Sequence, residues 1–295
     1  MKECKKIIGF KASPLKAKNE KGICFYKFPL LALEKYFPFY KGEESRFLKI
    51  ETEEATTENR IEYYTETEVS VKKELDFIQM IFESIKIISS KIKKKKYKIF
   101  HAEKQFSNSF INENFSLSRN TGDSSISSAT GSSSIALNDG YFSIASVTRE
   151  GSVSFARKNS SISSSTGDMS SSVCMGYESI SAGTGMNSIS HSKGDFSISC
   201  VTGIFSKSFS SGKNSIALSI GENSLSITEG KDSVAIAFGK GSKAKGKIGS
   251  WVACTEWDEN SGELLHFKAT KVDGEEIKAD TFYCLRKGKF VELDC

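Results

Sequence analysis

The chain has 295 residues, with 41 basic against 36 acidic side chains. That net charge of +5 excludes a densely basic nucleic-acid coat and a polyacidic tail. Seven cysteines, an odd number without metal-ligand or redox spacing, read as reduced structural thiols, and no apolar run is long enough to span a membrane.

Residues 1–100 read as a small α+β domain. Met1-Lys2-Glu3-Cys4-Lys5-Lys6 is charged and is not followed by a signal-like apolar segment, which makes the cytoplasm the expected compartment. A short strand at 25–28 leads into a proline-started helix at 29–36. Alternation predicts strands at 46–51 and 66–71. Over 72–92, Leu75, Ile78, Phe82, Ile85, Ile88 and Ile92 recur at three- and four-residue spacing, which predicts an amphipathic helix. Lys93, Lys94, Lys95 and Lys96 follow it. Cations are favourable at a helix C-terminus, so this run reads first as a solvated helix end and second as a nucleic-acid contact.

Sixteen nine-residue units without insertions occupy 104–247. Position four is Ser in every unit, position six is Ser or Ala, and Gly opens twelve units. Position five is Ile, Leu or Val in twelve. A short uninterrupted period means stacked units that each contact only their neighbours. Nine residues hold one short strand and one turn, so two units close a flat coil. The expected fold is mainly β: a parallel β-roll or β-helix solenoid of about eight 18-residue coils, each rising about 4.8 Å. Gly at position one is expected to supply a turn of positive φ.

Burial of branched side chains predicts an inward apolar ladder of Ile126, Ile135, Ile144, Ile162, Ile180, Ile189, Ile198 and Ile216. Positions four and six then point outward. Ser125, Ser134, Ser143, Ser188 and Ser215 would line that face, read either as a soluble turn surface or as a docking face. Lys207 fits this assignment poorly, because a buried lone lysine is costly. Asp123, Asp168, Asp195 and Asp232 do not make the Gly-Gly-x-Gly-x-Asp pattern of calcium-binding rolls, so no metal and no cofactor is expected.

Residues 248–295 predict a β-rich cap. Strands are expected at 251–257, 264–272, 281–285 and 290–293, with turns at 258–262, at Asp273-Gly274 and at Lys287-Gly288. Exposed strand edges invite aggregation, and Trp251 is expected to cover the last coil.

Gly22-Ile23-Cys24-Phe25, Pro29-Leu30, Tyr36-Phe37-Pro38 and Ser45-Arg46-Phe47 resemble a bacterial and phage family of uncharacterised activity. Its members carry a Gly-Phe-His motif before a Pro-Leu helix, and many continue into Gly/Ser/Ala repeats. Trp251 and Lys271-Val272-Asp273-Gly274 are similar to its C-terminal segment. Where that family carries His, this chain has Tyr26. The repeats at Asn214-Ser215-Ile216-Ala217 and 232–237 also resemble the β-roll heads of trimeric adhesins.

These readings favour a non-enzymatic scaffold, phage-related by resemblance and working in a bacterial or phage-infected cell. Its roll would act as a spacer or oligomerisation rod, with protein partners that include further copies of itself. The first alternative is an enzyme at 1–100. The strand–Pro–helix–strand order resembles ADP-ribosyltransferase-like domains at the level of fold, with Tyr26, Tyr36 and Arg46 as weak catalytic candidates. The second is nucleic-acid contact through the lysine run.

Overall fold

A computed structural model describes residues 7–14, 23–26, 39–40, 43–52, 56–57, 62–65, 69–75, 79–80, 83, 86–87 and 99–293. The chain divides into two compact units, Met1–Tyr97 and Lys98–Cys295.

In the first unit the described strands form a seven-stranded sheet, antiparallel at every pairing. Its longest ladder joins Ile7–Pro14 to Glu43–Thr52 over eight residues, from Ile7 opposite Thr52 to Pro14 opposite Ser45. Phe47 and Ile50 are buried along it, and Phe25 is buried in the strand Ile23–Tyr26. The strand expected at 46–51 is therefore real and longer. The one at Ile7–Pro14 has no clean alternation and was not anticipated. No helix is delineated among the described residues, so the α+β character is not supported. The segment expected to begin a helix at 72 instead runs as the strand Ser70–Leu75. That strand is exposed except at Leu75 and pairs with Glu43–Thr52, so an open sheet edge captures it. Only Gln79, Met80, Glu83, Lys86 and Ile87 beyond it are described, with helical backbone but too scattered to define an element. The expected helix at 29–36 lies outside the described residues.

The second unit is a parallel β-solenoid of about nine turns. Each four-residue strand pairs with the strand two units onward at an offset of 18 residues, as in Ile126 with Ile144 and Leu117 with Ile135. Two flat sheets result. One, the isoleucine sheet, runs from Asn108–Ile111 to Trp251–Trp257. The other, the mixed sheet, runs from Ile99–Ala102 to Lys243–Gly246. The extra turn arises because Ile99–Ala102 and Trp251–Trp257 stack in parallel on the strands of the second and fifteenth units without carrying the full repeat sequence.

The solenoid is inverted relative to the expected burial. Ser125, Ser134, Ser143, Ser188 and Ser215 are at most 1 % exposed, and the position-six residues are equally buried. They form no outer docking face. The isoleucines of the isoleucine sheet, Ile126, Ile144, Ile162, Ile180, Ile198 and Ile216, are 37–41 % exposed. Ile135 and Ile189, on the mixed sheet, are buried but share that outward parity. The physical reason is the narrowness of the coil. Opposed position-six hydroxyls touch across it, at 2.8 Å for Ser109 and Ser118, 3.0 Å for Ser127 and Ser118, and 2.9 Å for Ser172 and Ser181. No branched side chain fits that gap. The buried position-six hydroxyls are acceptable there because they find partners, as Ser181 Oγ does in donating to the Ser172 carbonyl at 2.8 Å.

The invariant Ser at position four serves the turn. Ser206 Oγ accepts the Ser188 amide at 3.0 Å and donates to the Gly185 carbonyl at 3.0 Å, and the same pair of bonds recurs from coil to coil. The left-handed residue is the third, not the first: every third position of the sixteen units has φ between 51° and 69°. Gly at position one answers a different need. A Cβ on Gly140 would lie 2.0 Å from the carbonyl oxygen of Gly122 in the preceding coil, and Gly203 meets Gly185 in the same way.

The C-terminal strands stop the stack. Leu264–Lys271 pairs antiparallel with Trp251–Trp257, and the hairpin Phe282–Arg286/Lys289–Leu293 ends the mixed sheet. Lys287 and Gly288 both have positive φ, as a two-residue hairpin turn requires. Asp273 Oδ1 caps a turn through the amides of Glu275 and Ile277, but no hairpin strand follows it. Trp251 does not cover the last coil; it continues the outward column and is 44 % exposed. The end is plugged by Val272, Ile277, Tyr283 and Leu285, packed on Ala235, Ala244, Val252 and Cys254.

Candidate functional site

Because positions five and seven face outward, the surface of each sheet can be read directly from the repeat. On the isoleucine sheet, position five carries Ile126, Ile144, Ile162, Ile180, Ile198 and Ile216 in one column, continued by Val234. Beside it, position seven carries Phe110, Ser128, Ser146, Ser164, Ala182, Cys200, Leu218 and Ile236. Not one of these residues is charged. Six isoleucines at two-fifths exposure leave on the order of 400 Å² of apolar surface in a single strip, comparable to the largest patches on monomeric proteins.

The mixed sheet differs in chemistry at the same positions. Ile135, Leu137, Val153, Phe155 and Val173 are buried there. Charged residues flank them. The Asp139 carboxylate lies 2.9 Å from Arg119 and 3.3 Å from Arg157. Lys207, which fitted an inward position badly, is on this outer surface with its ammonium 6.0 Å from the Phe209 ring centroid. His191 packs edge-on against Phe209 at 4.6 Å. Burial first, then the positive charges of Lys193 and Lys207, lower its pKa to about 4, so the ring is neutral at neutral pH.

The structure brings no catalytic constellation together among the described residues. Tyr26 is buried in the strand Ile23–Tyr26, opposite Phe10 and Glu62. Arg46 is placed by its backbone in Glu43–Thr52. Tyr36 and the lysines 93–96 lie outside the described residues. No group of three His, Cys, Asp or Glu side chains could hold a metal ion among the described residues, and no helix among them is long and apolar enough to cross a membrane. Burial raises the thiol pKa of Cys174, and pushes that of Cys254 up to about 12, which leaves both protonated and unreactive.

The most organised carboxylate outside the repeat is Glu256. It accepts the amides of Gly288 at 2.7 Å and Lys287 at 2.5 Å, and His266 Nδ1 lies 3.0 Å away. The two amides, then the histidine, hold its carboxyl below the usual range. All these bonds are used in fixing the 287–288 turn to the last solenoid strand, so the group is structural.

The surface that sequence reasoning missed is the isoleucine strip. The signal for it was present in the repeat itself. The most restricted positions are six, which must fit a fixed gap, and four, whose hydroxyl bonds the turn. Positions five and seven, which admit Arg119, His191, Lys207, Lys243 and Lys245, are on the outside, while position eight varies among uncharged residues inside. Comparison with family models, curated proteins and solved structures finds no match to this chain.

Proposed function

We propose that the protein is a structural scaffold whose solenoid self-associates through the isoleucine sheet. The observation that carries this reading is the uncharged isoleucine column, which water faces in the single chain. A partner has to present apolar groups at the same spacing of about 4.8 Å to cover it knob by knob. A second copy of this solenoid has that spacing by construction. The face is about 38 Å long over eight inter-strand steps and about 14 Å wide over four residues, or roughly 500 Å² on each copy. A pair then buries about 1,000 Å² in total, the size at which specific interfaces begin. The absence of charge on the strip removes the desolvation penalty that would oppose association.

The N-terminal motifs, through their resemblance to the bacterial and phage family, support placing this rod in an assembly of a bacterial or phage-infected cell. Light scattering of the full chain across a hundred-fold range of concentration tests the self-association. A mass that rises to a defined multimer is expected. A strictly monomeric mass at the highest concentration would overturn it, and capture of a different protein on the strip in place of a second copy would do the same.

A further inference from the structure

The turns along one edge of the solenoid carry a second surface, unrelated to the isoleucine strip. This edge follows the mixed-sheet strands and presents positions two and three of every second unit. Phe106 is 78 % exposed, Phe142 69 % and Phe196 52 %, with Tyr141 and Tyr177 at 42 %. The three phenylalanines all adopt φ of 52–56°. That conformation suits Asn, Asp or Gly and is rare for a bulky ring. Other turns of the same edge use the ordinary choices, such as Ser124, Ser160, Asn214 and Asp232. Folding therefore does not call for Phe at these positions. Nor does core packing, since all three rings are more than half exposed. A strained, exposed aromatic points to a ligand.

The row has a period. At position two, Asp123, Asn159 and Asp195 alternate with Tyr141 and Tyr177. Each acidic or amide side chain accepts the backbone amide of the next coil: Asp123 from Tyr141 at 2.9 Å, Asn159 from Tyr177 at 3.1 Å and Asp195 from Lys213 at 2.7 Å. Aromatic rings thus stand at Phe106, at Tyr141 with Phe142, and at Tyr177, two coils or about 9.6 Å apart. Phe196 closes the row, its ring centroid 5.3 Å from that of Tyr177. Between the rings lie polar groups able to bond hydroxyls, and the Lys158 ammonium sits 5.2 Å from the Tyr141 ring centroid.

We propose that this edge is a binding track for a neutral, extended β-1,4-linked polysaccharide. Two coils match the advance of two sugar rings in such a chain. The apolar C–H face of a pyranose stacks on an aromatic ring, and its equatorial hydroxyls reach the flanking polar groups. The rigid coil-on-coil stack holds the platforms in line, so little ordering is required on binding. Single-stranded nucleic acid also stacks on aromatics but needs a positive groove. Here Lys104, Lys158, Lys213 and Lys231 are balanced by Asp123, Glu178, Asp195 and Asp232.

Calorimetric titration of the full chain with cellohexaose and with chitohexaose tests the track. Saturable binding of at least one is expected. The double variant Phe142→Ser with Tyr177→Asn introduces residues that other turns of this edge already carry, so the fold is retained, and circular dichroism checks that. It should weaken binding at least ten-fold. No binding of either hexasaccharide at millimolar concentration overturns the proposal. So does wild-type affinity in the double variant, binding of an oligo-dT in place of the sugars, or a loss of multimer mass in the variant, which would mean that a second copy covers this edge. Loss of the multimer through the isoleucine strip alone leaves the track intact, so the two readings fail separately.

Discussion

Gly140→Ala is the sharpest local test of the coil geometry. The added Cβ would lie 2.0 Å from the Gly122 oxygen and 2.6 Å from its carbonyl carbon, both rigid backbone atoms of the neighbouring coil. Relief requires the two turns to separate by about 1 Å, since close-packed interiors have no slack to absorb the methyl group. Three bonds between these turns are directly in the way: Asp139 amide to Asn120 carbonyl at 2.8 Å, Tyr141 amide to Asp123 carboxylate at 2.9 Å, and Ser124 amide to Tyr141 carbonyl at 2.8 Å. Lengthened by that amount, all three leave hydrogen-bond range. At about 1 kcal/mol net each, the loss is about 3 kcal/mol. For a folding unit of this size that corresponds to a fall in melting temperature of about 6–12 °C. Gly183→Ala is the control, because its Cβ would meet Ser165 Oγ at 3.5 Å, Ser188 Cβ at 3.5 Å and Val201 Cγ1 at 3.6 Å. These are ordinary contacts, and the reduced freedom of the unfolded chain should stabilise by about 0.5 kcal/mol. Differential scanning calorimetry on both variants checks the pair. A Gly140→Ala protein that melts with the wild type, or a Gly183→Ala protein destabilised as strongly as Gly140→Ala, would refute the close-approach argument.

Two further outcomes follow from the buried polar groups. Ser206→Ala removes the acceptor for the Ser188 amide and the donor to the Gly185 carbonyl, and should cost about 1–3 kcal/mol in urea unfolding, although a methyl group is no less apolar than the hydroxyl it replaces. His191 has a folded pKa depressed to about 4, against about 6.5 in the unfolded chain, so the unfolded state binds the proton more readily. Its contribution is fully present above about pH 6.5 and is lost as pH falls toward 4, by about 2 kcal/mol once the partly open ring is allowed for. His191→Gln should flatten the melting temperature over that window, and an unchanged slope would contradict the assignment.

The repeat made the solenoid legible because period and strand length are set by backbone hydrogen bonding, which the nine-residue spacing records. The cap was legible for a similar reason: Trp251–Trp257 and the Lys287-Gly288 turn carry local strand and hairpin chemistry. Inside and outside were not legible from hydrophobicity. Period-two alternation separates two faces without saying which one is enclosed. The width of the coil decides it: at position six only Ser and Ala fit between sheets whose hydroxyls meet at 2.8–3.0 Å, while position eight, at the strand end, also buries Ile111, Val147 and Val201. Lys207 was the sequence's own objection to the inward ladder. The role of the first glycine was hidden for a related reason, because carbonyl contact between coils is a property of stacking and not of one turn. In the first unit, the apolar periodicity after residue 72 promised a helix, yet Ser70–Leu75 pairs with an open sheet edge, a long-range choice that local pattern does not encode.

The central claim is that isoleucine, not serine, is the outer face and the contact between copies. Sedimentation equilibrium of the Ile162→Lys/Ile180→Lys variant beside the wild type tests it most directly. Both sites are outward and two-fifths exposed, so the lysines can be solvated and the circular dichroism spectrum should not change. The expected result is a folded monomer where the wild type is a multimer. A variant that unfolds, as buried lysines would require, or one that keeps the wild-type mass would contradict the account.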